Sequence, residues 1–235
     1  MSKPISVCEC FGITIQGEGA LIGKPTVFVR TGGCDYRCSW CDSLYAVLPE
    51  HREEWTKQSP EEIFAKVQEL SPEPIMVTLS GGNPAMQPLG PLIDLGHEHG
   101  YTFCIETQGT IFQPWFANLD YLTISPKPPS SGMDTNWKKL ERCCEAAKGK
   151  SCTVVLKVVI FDDLDYGYAH EVATRFPEYP LYLQTGNENV GAGFSLEQVL
   201  GKTRWLVEKV AAEHWNSVTV LPQFHTLLWS NTRGV

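Results

Sequence analysis

Short apolar runs alternate with longer segments of helical period along most of this chain. Runs rich in β-branched and aromatic residues occupy 26–30, 75–79, 101–106, 121–124, 153–161, 180–184 and 217–221, all of strand length. Several are unbroken rather than alternating, which predicts parallel strands covered on both faces. Between the first two, Ser59 is placed to cap a helix, Pro60 suits its first position, and Glu62 completes a capping box. Ile63, Phe64, Val67 and Leu70 then form one apolar stripe. Further helices are predicted over 88–99, stopped by Gly100, and over 137–148, 164–175 and 195–214. Strand and helix in alternation predict right-handed crossovers and a parallel α/β sheet, curled or open.

In such sheets the loops that follow strand C-termini carry function. The unusual residues of this chain fall there. Strand 26–30 runs into CDYRCSWC, 75–79 into SGGNP, 101–106 into TQGT, and 121–124 into SPKPPSS. Four distinctive loops on one rim predict a single site. No repeat, low-complexity tract or linker interrupts the pattern, so residues 1–235 are expected to form a single domain.

Composition narrows the chemistry. A net charge of −8 without a Lys/Arg cluster argues against gripping nucleic-acid phosphates. Nine cysteines, an odd number, do not make a disulfide framework and fit a reducing compartment. The N-terminal MSKPISVCECFG lacks the apolar stretch of a signal peptide, and no run reaches membrane-spanning length. The expectation is a soluble cytoplasmic protein with neither nucleic acid nor membrane as partner.

Cys34, Cys38 and Cys41 stand at Cys-x3-Cys-x2-Cys spacing. Three thiolates can hold three corners of a [4Fe–4S] cluster and leave the fourth iron open to a small molecule. Electron-transfer ferredoxins normally fill all four positions with cysteine, whereas an open iron beside an organic cofactor suits radical chemistry. A zinc site completed by His51, or plain buried thiols, would use the same residues. Zinc sites usually draw paired ligands from two segments, and Cys8, Cys10, Cys104, Cys143, Cys144 and Cys152 offer no second pair and read as packing residues. Ser80-Gly81-Gly82-Asn83-Pro84, alone a plain turn, bares backbone amides to a polar ligand.

Together, the cysteine loop and SGGNP resemble the radical S-adenosylmethionine (SAM) superfamily, in which a GGE-type motif holds the methionine end of SAM. Asn83 stands here where Glu is commoner, and the Gly82 backbone contact is kept. The resemblance narrows with FGITIQGEG (11–19), FVRTGGCDYRCSWCDS (28–43), SGGNP, ETQGT (106–110), ISPKPPSS (124–131) and the tail LPQFHTLLWSNTRGV. In that order, over essentially the full length, these motifs are similar to the 7-carboxy-7-deazaguanine synthase family.

That resemblance implies a shortened, partial TIM-like (β/α) barrel of the radical SAM type, with the tail (about 222–235) folding back over the active site. It implies a homodimer using a [4Fe–4S] cluster, SAM, Mg2+ and a flavodoxin- or ferredoxin-type reductant. The implied reaction converts 6-carboxy-5,6,7,8-tetrahydropterin to 7-carboxy-7-deazaguanine with loss of ammonia. A 5′-deoxyadenosyl radical takes hydrogen from C6, the ring contracts, and the hydrogen returns to regenerate SAM. Carried over residue by residue, Cys34, Cys38 and Cys41 hold the cluster and Ser43, in place of the usual Thr, meets Mg2+. Trp40, Gly82, Ser125, Lys127 and Gln184 face SAM. Ile15, Gln16, Gly17, Glu18, Arg30, Ser80, His225 and Val235 face the substrate, with Arg30 on its carboxylate. Physically, a guanidinium can clamp a carboxylate, the alternative for Arg30 being a surface ion pair, and Gln16 and Glu18 match a pterin edge. The competing readings are another radical SAM enzyme, such as a glycyl-radical activase, and a metal-stabilised interaction module.

Overall fold

Val154, Leu156, Val158 and Ile160 belong to the hydrophobic core, while Lys157 between them does not. The same two-residue alternation runs through every central strand. Val77 and Leu79, Phe103 and Ile105, Leu122 and Ile124, and Leu181 and Leu183 all point into that core. Thr78, Ser80, Glu106, Thr123 and Gln184 take the intervening positions. Runs that read as unbroken in sequence therefore have one face in the core and a second face that carries the polar residues of the site.

The computed structural model describes residues 3–147, 150–187 and 193–235. Its strands are β1 (Ile5–Ile15), β2 (Pro25–Thr31), β3 (Thr56–Gln58), β4 (Met76–Gly81), β5 (Thr102–Thr107), β6 (Tyr121–Ile124), β7 (Thr153–Ile160), β8 (Leu181–Thr185) and β9 (Val218–Leu221). Its helices are α1 (Leu44–Val47), α2 (Pro60–Leu70), α3 (Gly90–Glu98), α4 (Trp137–Glu145), α5 (Asp163–Arg175), α6 (Leu196–Ala212) and α7 (Phe224–Trp229). The strands form one sheet in the order β3-β1-β2-β4-β5-β6-β7-β8-β9. From β2 to β9 all neighbours are parallel. Right-handed crossovers and a partial barrel follow from that arrangement.

Seven predicted strands and five predicted helices are found, with ends shifted by one or two residues in most cases. The predicted end of α4 at Lys148 lies outside the described residues. Ser59 and Glu62 bond reciprocally to each other's backbone amides at 3.2 and 2.7 Å, closing the capping box at the start of α2, an arrangement that stabilises a helix by about 1 kcal/mol. Gly100, at φ +82°, ends α3 in the left-handed conformation that glycine accepts most readily.

The purely parallel sheet needs correction at one end. β1 pairs antiparallel with both β2 and β3, and its register with β2 shifts between Val7 and Glu9 and again between Phe11 and Thr14. The ISVCECFGITI segment had not read as a strand because Glu9 and Gly12 break its apolar pattern and the register shifts break its alternation. Cys104, Cys143, Cys144 and Cys152 are buried as predicted, but Cys8 and Cys10 on β1 are only partly so. Among the described residues, no helix is long and apolar enough to cross a membrane.

Candidate functional site

The C-terminal strand ends and the tail enclose a cavity of about 310 Å³. Cys34, Cys38, Trp40 and Cys41 line it from the loop after β2, and Ser80, Gly81 and Gly82 from the end of β4. Glu106 and Gln108 enter from β5, Lys127 from the loop after β6, Phe161 after β7, and Gly186 after β8. The predicted rim loops do converge.

Burial pushes all three cluster thiols up, Cys41 to about 11. As free thiols they carry their protons near neutral pH, and ligation must displace them. Among the described residues, no three His, Cys, Asp or Glu side chains converge where one ion could sit. His51, which would have to complete a zinc site, pairs with Glu54 at 2.6 Å and does not line the cavity. A cubane asks for thiols spread around a shared space, which Cys34, Cys38 and Cys41 provide, with none of them in a disulfide. Glycine makes that space possible. A Cβ on Gly82 would lie 2.3 Å from the Gly33 carbonyl oxygen and 2.9 Å from Cys34 Cβ. The residues present fit a cluster with an open side.

Neighbouring loops hold the cysteine loop in place. Ser39 donates from its backbone to Ser131 O at 3.0 Å and from its hydroxyl to Ser130 O at 2.7 Å. Trp40 Nε1 donates to Ser130 Oγ at 3.0 Å. Asp165, fully buried at the start of α5, accepts from Ser130 N and Phe161 N and so pins the SPKPPSS turn.

Asn83 braces the other side. It is fully buried, and its Nδ2 donates to Asp35 Oδ1 at 2.8 Å and Thr110 Oγ1 at 3.2 Å. Its Oδ1 accepts from Ala85 N and Thr107 Oγ1. With both ends engaged, Asn83 is a strut between three loops and not part of the cavity wall. Asn83→Ala strands the buried Ala85 N–H and Thr107 hydroxyl and should cost about 2–4 kcal/mol. Thermal unfolding of the cluster-free protein checks this, and an unchanged midpoint would remove the strut.

At the end of β2, Arg30 Nε donates to Glu9 Oε1 at 2.6 Å. Its guanidinium carbon lies 5.7 Å from the Phe11 ring centroid and 5.8 Å from that of Tyr45. Among the described residues its Nη groups donate no hydrogen bond, so that edge stays available in the cavity. Glu9 also takes Arg233 Nε at 2.7 Å and the Tyr45 hydroxyl at 3.2 Å. Burial alone would raise the Glu9 carboxyl, but the two arginines hold it below its ordinary value. Ser80 Oγ is buried without a hydrogen-bond partner among the described residues, an orphan on the cavity side.

The tail closes over the QGEG turn. Phe224 N bonds to Gly17 O at 2.8 Å, and Gln223 Nε2 to Glu18 Oε1 at 2.8 Å. A Cβ on Gly17 would lie 2.3 Å from His225 Nδ1, so glycine admits the histidine. Ile15, Gln16, Gly17, Glu18, His225 and Val235 all line the cavity, as does Ser43, whose hydroxyl donates to Asp42 Oδ1 at 2.7 Å.

Two predicted residues stand behind the wall. Ser125 is fully buried and accepts from Lys127 Nζ at 3.2 Å; Gln184 is also fully buried and accepts from Gly19 N at 3.2 Å. Neither lines the cavity: Ser125 follows the last residue of β6 and Gln184 precedes the last residue of β8, and both side chains are fully enclosed. Conversely, Glu9, Tyr45, Glu106, Lys157 and Arg233 belong to the site and were not singled out. Lys157 did carry a signal, being the one charge inside TVVLKVVI. Its ammonium bonds Glu18 Oε2 and, at 2.6 Å, Glu106 Oε1. Burial opposes its charge, yet Glu106 and Glu18 hold its pKa above the ordinary value.

The Radical SAM superfamily profile matches residues 28–176. The 7-carboxy-7-deazaguanine synthase of Bacillus subtilis is 47% identical over 243 residues, which cover 100% of both chains. That of Bacillus cereus is 42% identical over 241 residues, again covering 100% of both. The crystal structure of QueE from Escherichia coli superposes with a TM-score of 0.68 over 94% of this chain and 95% of that one. Its 24% identity supports the fold alone.

Proposed function

The chain belongs to the 7-carboxy-7-deazaguanine synthase family of the radical SAM superfamily, and from that membership we propose how its cavity works. The family's activity, shared by this chain, makes 7-carboxy-7-deazaguanine from 6-carboxy-5,6,7,8-tetrahydropterin on the route to queuosine, using a [4Fe–4S] cluster and SAM. When bound, cluster and SAM supply a radical that removes and returns a hydrogen atom at C6 of the substrate.

The observation that carries the proposal is that the three cysteines and the Arg30–QGEG wall line one cavity. Cys34, Cys38 and Cys41 hold the cluster. SAM lies between them, the Gly82 backbone, Trp40 and Lys127, with Ser125 steadying the lysine ammonium. The substrate carboxylate meets the free edge of Arg30, and its ring lies against Gln16, Glu18, Ser80 and His225 under the tail. Ser43 offers Mg2+ a hard oxygen beside that carboxylate, in keeping with a metal that takes few protein ligands. Gln184 acts at one remove, by fixing the turn at Gly19. Loss of ammonia makes the reaction that of a lyase. A cytoplasmic homodimer served by a flavodoxin- or ferredoxin-type reductant completes the proposal.

Anaerobically reconstituted protein, given SAM, reductant, Mg2+ and the carboxypterin, should release 7-carboxy-7-deazaguanine. A preparation that cleaves SAM yet forms none of this product would refute the substrate assignment.

A further inference from the structure

Lys157 sits at the centre of β7 with 1% of its side chain exposed. Val155 and Val159 flank it on the same face. A buried ion pair rarely stabilises a fold more than an apolar residue of similar size would, so the charge at this position points to the cavity. Its stem lies beside Gly19, where a Cβ would come within 3.7 Å of Lys157 Cδ. Its ammonium joins Glu18, from the β1–β2 connection, to Glu106, from β5, reaching past β6 to do so. Those carboxylates are 17% and 29% exposed and line the cavity, as does the far less exposed lysine between them.

We propose that Lys157 is a positioning residue, which holds Glu18 and Glu106 side by side at the cavity so that they accept from the N–H-rich aminopyrimidine edge of the substrate. This rests on the reading that Glu18 meets substrate. Without the ammonium, two neighbouring carboxylates in a half-buried site repel, and one takes up a proton. A protonated carboxyl turns a donor toward a donor. The other groups facing Glu18 are His225, a further titratable group, and Gln223, both from the tail. Burial alone would raise the Glu18 carboxyl, but Lys157 first and then His225 hold it well below the carboxylate range.

In reconstituted holoenzyme, Lys157→Met should raise the KM for the carboxypterin about tenfold or more at pH 7. The KM should recover toward pH 9 as the pair ionises, a dependence the parent lacks. Iron content, the cluster EPR signal and SAM affinity should be unchanged. Adding Glu106→Gln restores the local net charge and should move that dependence back toward acid. The double variant also serves if Lys157→Met alone fails to fold, since with a single carboxylate left its KM, whatever its level, should vary little between pH 7 and pH 9. A KM unchanged in Lys157→Met, raised equally at every pH, or insensitive to the second substitution would overturn the positioning role. Glu18→Gln separates the two levels: unchanged substrate affinity there sinks the Glu18 contact itself. Lost affinity there with Lys157→Met unaffected sinks only the role of the lysine.

Discussion

Cys38→Ala should leave the protein without a stable cluster and without turnover. Cys38 lies between Cys34 and Cys41 on the loop after β2, and all three line the same cavity. Removing the middle thiol leaves two corners held, and no fourth cysteine of the cavity can substitute. The core is built from residues on the other sheet face, so the cluster-free variant should unfold within about 1 kcal/mol of the cluster-free parent. Loss of the radical source removes the entire rate enhancement, on the order of a millionfold or more. Iron analysis and EPR after anaerobic reconstitution read the result directly. The parent should hold about four irons per chain with a signal that responds to SAM. A parent that takes up zinc alone, or a variant that keeps four irons, would contradict the reading.

Arg30→Ala should weaken substrate binding by roughly 10- to 150-fold, the value of a charge-assisted, two-point contact. SAM affinity should change by no more than about threefold, because the side-chain partners of Arg30 are Glu9, Phe11 and Tyr45, none of them assigned to SAM. The structure sharpens this expectation. Glu9 engages the guanidinium through Nε and leaves the Nη edge facing the cavity. Arg30→Lys should not rescue binding, since an ammonium cannot bond Glu9 and a carboxylate in the same planar geometry. Titrations of each ligand against the reconstituted variant decide the matter. Equal losses for both ligands would mean that Arg30 supports the fold of the site and does not clamp the substrate.

The cysteine loop, SGGNP and the QGEG turn were legible because their chemistry is carried by residues close together in sequence. Arg30 was legible for the same reason, four positions before the first thiol. Lys157 and Glu9 were not, because each owes its role to partners more than a hundred or two hundred residues away: Glu18 for one, Arg233 for the other. The unbroken apolar look of the strands hid the polar face, since Val155 and Val159 occupy cavity-side positions beside the lysine. Ser125 and Gln184, expected at SAM, stand behind the cavity wall. Being near a strand end puts a residue at the rim, but whether its side chain enters the cavity or the wall depends on the folded backbone. Asn83 departs from the commoner Glu and is spoken for by Asp35, Thr107 and Thr110, a network visible only once the three loops are folded together.

The two-residue alternation in the central strands also bears on how such a sequence can drift. Along β7, positions 154, 156, 158 and 160 answer to volume, since they fill the layer beneath the helices. On the opposite face Lys157 answers to charge and hydrogen bonding, since it and Val159 line the cavity. Neighbouring codons in the same strand are thus judged by different criteria. Changes that loosen the core need not touch the chemistry, and changes that retune the cavity need not unfold the sheet. Evolution can therefore adjust stability and reactivity separately within one eight-residue strand.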